Sequence, residues 1–178
     1  LSREQLWAPW RIGYIAGQVR DDDQMPELPW LAGASAGCFL CRSAADPDER
    51  RTLTAWRGAA AMVVLNRYPY ANGHLLIAPR LHKSRFDELS SNEHLEIMQT
   101  MSRLTGSLER LMNCDGFNIG LNLGKVAGAG VPGHLHWHLV PRWHGDTNFM
   151  PVLADTNVIP QSLDALFDML RTELDGTP

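Results

Sequence analysis

The chain has 178 residues, 44% hydrophobic and 20% charged, with a formal net charge of −4. That length suits one domain able to bury a core. The acidic balance argues against a nucleic-acid partner, which would call for basic surface to neutralise phosphates, yet a locally positive pocket for an anionic small molecule remains compatible with it. No apolar run approaches the ~20 residues needed to span a bilayer, and the opening LSREQLWAPWR lacks the charged-then-apolar pattern of a secretory signal. The expectation is a cytoplasmic protein with no membrane partner.

Residues 1–36 carry Trp7, Trp10, Tyr14 and Trp30 among Pro, Gly and Asp. They read as an irregular arm belonging to the same domain as residues 37–178, its aromatic side chains packing on a neighbour, with a partner subunit as one candidate. Within it, DDDQMPELP at 21–29 opposes regular structure through charge and two prolines. Three cysteines cannot all pair within one chain, and Cys38-x-x-Cys41 in a cytosolic setting points to metal or redox chemistry. The third, Cys114, reads as a helix-end packing residue.

AAAMVVL (59–65) and HLLIAP (74–79) are short apolar runs separated by NRYPYANG, whose Pro and Asn-Gly turn signals predict an antiparallel pair. A helix follows over residues 90–112. Ser90 and Glu93 form a capping box, and Leu95, Met98, Met101, Leu104, Leu108 and Leu111 recur at three- and four-residue spacing. Asp115-Gly116 stops it. FNIGLNL (117–123) predicts a strand, GKVAGAGVPG (124–133) a glycine-rich loop, and HLHWHLV (134–140) another strand. A last helix over 160–174 places Leu163, Leu166, Phe167, Leu170 and Leu174 on one face, with Pro160 in its first turn. Antiparallel strands with two substantial helices make an α+β domain.

Alternate side chains of a strand point the same way, about 6.6–7 Å apart. HLHWHLV therefore shows His134, His136 and His138 on one face and Leu135, Trp137 and Leu139 on the other. Burial of the apolar face fixes the register, since a one-residue slip would bury all three imidazoles. Three readings are open: a solvated histidine-rich face, a His-only metal site, and a catalytic row. Three ligands spread over roughly 13 Å of straight strand cannot converge on one ion at about 2.0–2.1 Å. The catalytic reading is favoured, with the middle histidine acting on a substrate that its neighbours hold and polarise.

HLHWHLV resembles the signature of the histidine-triad family, and the likeness extends along most of the chain. VVLNRYPYANGHLLIAPRLHKSRFDEL (63–89) is similar to the family's first hairpin, and GFNIGLNLG (116–124) to the strand before the triad. LWAPWRIGYI, GLNLGKVAGAG and PRWHGDTNFMPV resemble a narrower bacterial branch of diadenosine tetraphosphate phosphorylases and proteins labelled as the corresponding hydrolases.

The resemblance implies attack by His136 on the α-phosphorus of a dinucleoside polyphosphate, giving a covalent nucleotidyl-histidine that orthophosphate or water then cleaves. Adenosine phosphoramidate hydrolysis is the alternative activity. His136 would present Nε2 outward, its Nδ1 proton held by a backbone carbonyl, and His138 would donate to a phosphate or bridging oxygen. Asn122 matches the family's phosphate-contacting amide and Asn66 the ribose-binding position; a turn cap at the strand end is the plainer reading of Asn66. Backbone N–H groups of Gly128 to Gly130 suit an anion cradle, although glycine there also simply makes a turn. Many relatives carry Gln followed by Ser or Thr in this loop; here it reads GAGVPG and runs about one residue longer. In zinc-bearing relatives the residues matching Cys38, Cys41, His82 and His134 bind one structural zinc, and no organic cofactor is implied. The family also implies a homodimer. His74, His94 and His144 are expected to be structural or surface residues. Arg67, Arg80, Lys125 and Arg142 read as ordinary surface charges that could meet distal phosphates.

Overall fold

The computed structural model describes residues 27–146, 159 and 161–175. Most of the aromatic arm, the segment after residue 146 and Pro160 lie outside them. Among the described residues no helix is long and apolar enough to cross a membrane.

The elements run α1 (Phe39–Ala45), α2 (Glu49–Thr52), β1 (Thr54–Arg57), β2 (Ala61–Leu65), β3 (Leu75–Pro79), a 3-10 turn (Phe86–Glu88), α3 (Ser91–Met112), β4 (Gly116–Leu121), a second 3-10 turn (Lys125–Ala127), β5 (Trp137–Arg142) and α4 (Leu163–Asp175). The five strands form one sheet in the order β1-β2-β3-β5-β4, each neighbouring pair antiparallel. This is the α+β architecture expected. Sequence pattern alone does not predict α1, α2 and β1. Helices of seven and four residues offer too short a window for periodicity, and a register shift between Thr54 and Trp56 breaks the alternation of β1.

Both faces of the sheet are covered, so β2 and β3 are buried at every position. Ala61, Val63, Leu65, Leu75, Ile77 and Leu139 pack on one side with Ile97, Met101, Leu104 and Leu108 of α3 and Leu166, Phe167, Leu170 and Leu174 of α4. Met62, Val64, Leu76 and Ala78 point to the other side, where they meet Cys38, Leu40, Cys41 and Ala44. Each such large side chain contributes roughly 1.5–3 kcal/mol by leaving water. The α3 stripe is rotated from the expected one: Ile97 takes the inward position, leaving Leu95 and Met98 exposed.

Between β2 and β3 the chain must reverse beneath Met112 and Pro141. Gly73 has φ +77°, and a Cβ there would lie 2.9 Å from both side chains, so the Asn-Gly of the turn admits little else.

Candidate active site and metal centre

The second sheet face carries the site, because His138 pairs in register with Leu76 of β3 and Gly120 of β4. The β3–β5 ladder stops at Ile77 and Trp137 even though β3 continues to Pro79. Pro79 has no N–H to extend it, and its carbonyl accepts instead from Nε2 of His134 at 2.8 Å. The Leu135 N–H donates to Lys83 at 2.7 Å and the His134 N–H to Val131 at 3.2 Å. The expected strand 134–140 is thereby corrected: the regular strand is Trp137–Arg142, and His134 and His136 stand in an irregular lead-in. The histidines remain grouped, with ring centroids of His136 and His138 5.2 Å apart.

His136 is 6% exposed. Its Nδ1 lies 2.8 Å from the carbonyl oxygen of His134. A carbonyl only accepts, so the proton is on Nδ1 and the lone pair on Nε2. Burial disfavours the charged ring and holds its pKa below the usual 6.5, against a smaller raising effect of that hydrogen bond. The backbone carbonyl expected behind His136 is thus supplied by its own neighbour in the triad.

His138 Nδ1 lies 2.9 Å from Nε2 of His74. His74 is buried, with the Tyr70 ring stacked on it at 4.7 Å. A structural or surface place was expected for it, and it is a buried residue that also backs the third triad residue. Its position two residues before Leu76, on the same face as His138, was the available signal: an ionisable side chain opening an otherwise apolar strand. His94 and His144 are exposed, as expected, and Cys114 packs in the core at the end of α3.

Asn66 closes the turn. Its Oδ1 accepts from the Tyr68 N–H at 2.9 Å and its Nδ2 lies 3.3 Å from both ring nitrogens of His74. Asn122 donates to the carbonyl of Gly128 at 3.4 Å across the glycine-rich loop. In that loop the Gly128 N–H donates to Lys125 at 3.0 Å and the Ala129 N–H to Gly124 at 3.3 Å, so two of the three donors expected in an anion cradle are engaged within the turn. Of the basic residues, Arg142 holds Asp146 and Asn118, Arg80 donates to Gly58 and Arg67 to Arg51. Lys125 is exposed.

Beside the triad, the ligand atoms of Cys38, Cys41, His82 and His134 all lie within 4.8 Å of one another. Cys38 Sγ and Cys41 Sγ are 3.4 and 3.6 Å from His134 Nδ1, and Cys41 Sγ is 3.1 Å from His82 Nδ1. A tetrahedral zinc with Zn–S near 2.3 Å and Zn–N near 2.0–2.1 Å sets S···N edges of about 3.6 Å. The His134 tautomer agrees, because its Nε2–H is spent on Pro79 and Nδ1 keeps the lone pair a metal would take. Without metal, burial pushes the Cys38 thiol up to about 11 and lowers His134 to about 4. The four donors therefore fit zinc by type, number and spacing.

Residues 57–145 match the HIT domain family. The chain is 35% identical, over 179 aligned positions covering 96% of it and 84% of the relative, to an AP-4-A phosphorylase of Mycobacterium tuberculosis. Among solved structures it resembles a hypothetical histidine triad nucleotide-binding protein of Sulfolobus tokodaii, with TM-score 0.61, 21% identity, and coverage of 78% of this chain and 92% of that one. It also resembles a Zn-bound histidine triad family protein of Mycobacterium smegmatis, with TM-score 0.55, 24% identity, and coverage of 69% and 86% respectively. These likenesses and the grouped histidines agree: the chain belongs to the HIT domain family, with its fold, and is an enzyme of the histidine-triad type.

Proposed function

We propose that this protein cleaves dinucleoside polyphosphates, best represented by diadenosine tetraphosphate, and that orthophosphate accepts the nucleotidyl group. The observation that carries the reading is the state of His136: buried, neutral, and with its lone pair on Nε2. Support for the substrate and acceptor comes from the M. tuberculosis relative, named a phosphorylase.

In this mechanism Nε2 of His136 attacks the α-phosphorus. The bond to the bridging oxygen breaks, and the leaving phosphate departs with the electron pair. The Nδ1–H of the nucleotidylated ring stays on the His134 carbonyl, which steadies the positive charge that forms there. His138 donates to the oxygen on which charge develops, and Asn122 to a non-bridging oxygen. An oxygen of orthophosphate then attacks phosphorus, and the P–N bond returns its electrons to Nε2. Asn66 is assigned to the ribose. The loop's contribution is assigned to Gly130 and, once its turn opens, to Gly128.

Zinc on Cys38, Cys41, His82 and His134 is proposed as a structural group. It would tie α1 and the His82 loop to the lead-in that orients His136. A homodimer is proposed as well. The β4 strand is a sheet edge with Ile119 exposed on it and Leu123 exposed just after it, and edges of this kind call for a cover. Light scattering of the wild type and of Ile119→Glu tests the pairing: a wild-type monomer excludes it.

Incubation with diadenosine tetraphosphate, with and without phosphate, separates the acceptors. ADP plus ATP only in the presence of phosphate is the expected result; AMP plus ATP without phosphate identifies water as acceptor. Rapid quenching with labelled dinucleotide should trap an adduct on His136, absent from His136→Ala. Turnover without any such adduct excludes the mechanism.

A further inference from the structure

A polar chain outside the metal cluster runs from the backbone of the β2–β3 turn, through His74, to the triad. The Tyr70 N–H lies 3.1 Å from Nδ1 of His74, and a backbone N–H can only donate. Nδ1 of His74 must therefore accept, which leaves the ring's proton on Nε2. That nitrogen is 2.9 Å from Nδ1 of His138, so His138 accepts at Nδ1 and carries its own proton on Nε2. The Asn66 amide does not choose between the two nitrogens: its Oδ1 is fixed as acceptor by the Tyr68 N–H, and its NH2 group lies 3.3 Å from each ring nitrogen of His74, so the Tyr70 N–H alone sets the sense. On the other side, the His134 carbonyl gives His136 the opposite tautomer.

We propose that His74 is a positioning residue for the reaction: it transmits the hydrogen-bond sense of the Tyr70 backbone to His138 and holds that ring as an Nε2–H donor beside the Nε2 lone pair of His136. Two adjacent imidazoles of one face thus take complementary roles, an electron-pair donor and a hydrogen-bond donor. The difference originates in two backbone groups of opposite sense, a carbonyl and an N–H. No proton leaves the chain. In this arrangement each ring carries a single ring proton, so the relay delivers a hydrogen bond rather than a proton to the departing phosphate oxygen, which leaves as an anion. Burial of His74 beneath the Tyr70 ring keeps water from competing for either nitrogen.

The inference rests on the nucleotidyl-transfer reading only for its consequence; the tautomers are measurable without substrate. Long-range ¹H–¹⁵N correlation of the histidine rings at alkaline pH, where the imidazoles are neutral, should place the proton of His136 on Nδ1 and those of His74 and His138 on Nε2. A His138 proton on Nδ1 in the wild type overturns the proposal. Paired variants then test the role. His74→Gln keeps a donor toward His138, whereas His74→Glu has the same shape and only accepts. The Tyr70 contact changes equally in both. We expect His138 to keep its Nε2 proton in H74Q and to shift it to Nδ1 in H74E. At the same pH, kcat should be lower in H74E than in H74Q by on the order of 10²-fold, the usual effect of losing one donor to a developing oxyanion. Circular dichroism verifies that both variants fold; should either fail to, the wild-type ring assignments alone decide. Equal kcat in two folded variants with different His138 tautomers overturns the positioning role. A wild-type protein with the expected tautomers and no nucleotidyl transfer instead refutes the proposed function.

Discussion

His136 keeps a nucleophilic ring because its surroundings oppose protonation. Burial lowers its pKa from 6.5, and protonation at Nε2 would remove the lone pair that attacks phosphorus. As pH falls, activity should therefore persist through the ordinary imidazole range and be lost only below it. The measurement is kcat/KM against pH; an acid limb centred at or above 6.5 contradicts the assignment. At this scale the sequence was informative about which residues mattered and silent about their states. His134, His136 and His138 were legible as a row, and Cys38, Cys41, His82 and His134 as a metal set through resemblance. That His74 stands behind His138 depends on a contact across 64 positions, which no local pattern encodes.

Among the elements, α3 shows how a local rule comes to serve the site. Ser90 and Glu93 form the predicted capping box, with reciprocal bonds of 3.3 and 2.7 Å. The same carboxylate also holds Lys83 at 2.7 Å, and the Lys83 carbonyl receives the Leu135 N–H of the triad lead-in. One cap thus anchors the start of the helix and the loop on which the triad leans. Burial alone would raise the Glu93 carboxyl, but hydrogen bonds from Lys83 and Ser90 outweigh it and hold the group below 4.5. Its contribution to stability is therefore present above the ordinary carboxylate value and disappears as pH falls through the lowered one. Glu93→Gln should cost about 1–2 kcal/mol at neutral pH and show a smaller loss of stability on acidification than the wild type. Urea melts at neutral and acid pH measure both; parallel acid losses in the two proteins would remove Glu93 from this role. Element boundaries were readable wherever periodicity was long, as in α3. They were misplaced at β5, where Pro79 ends the ladder and a side chain takes over its carbonyl.

Across the whole molecule, the cysteine–histidine cluster links three parts of the chain. Cys38 and Cys41 belong to α1 and its cap, His82 follows β3, and His134 opens the triad. Protein purified without added metal should contain about one zinc per chain. Because the Cys38 thiol is pushed up to about 11 in the metal-free site, zinc must displace protons to bind, and its affinity should fall as pH is lowered. Chelation at neutral pH should lower the melting temperature and change the His134 and His136 ring signals together. Metal analysis and thermal melts check this, and a metal-free protein with an unchanged melt would end the idea.

The amino-acid sequence by itself determined the class of fold, the two long helices, the β2–β3 hairpin, the histidine row and the residues able to bind metal. All but the last follow from short-range periodicity, from turn and cap chemistry, or from a motif whose residues are close along the chain; the metal set, whose His82 and His134 lie 41 and 93 positions from Cys41, was legible through family resemblance. Only the tertiary structure decided where β5 begins, which face of α3 is buried, that two loop N–H groups are already engaged, and which nitrogen of each triad imidazole carries the proton. A proton's place on a ring is set by whichever donor or acceptor happens to face it. For these histidines, those partners come from a neighbouring carbonyl, a turn amide and a side chain on another strand.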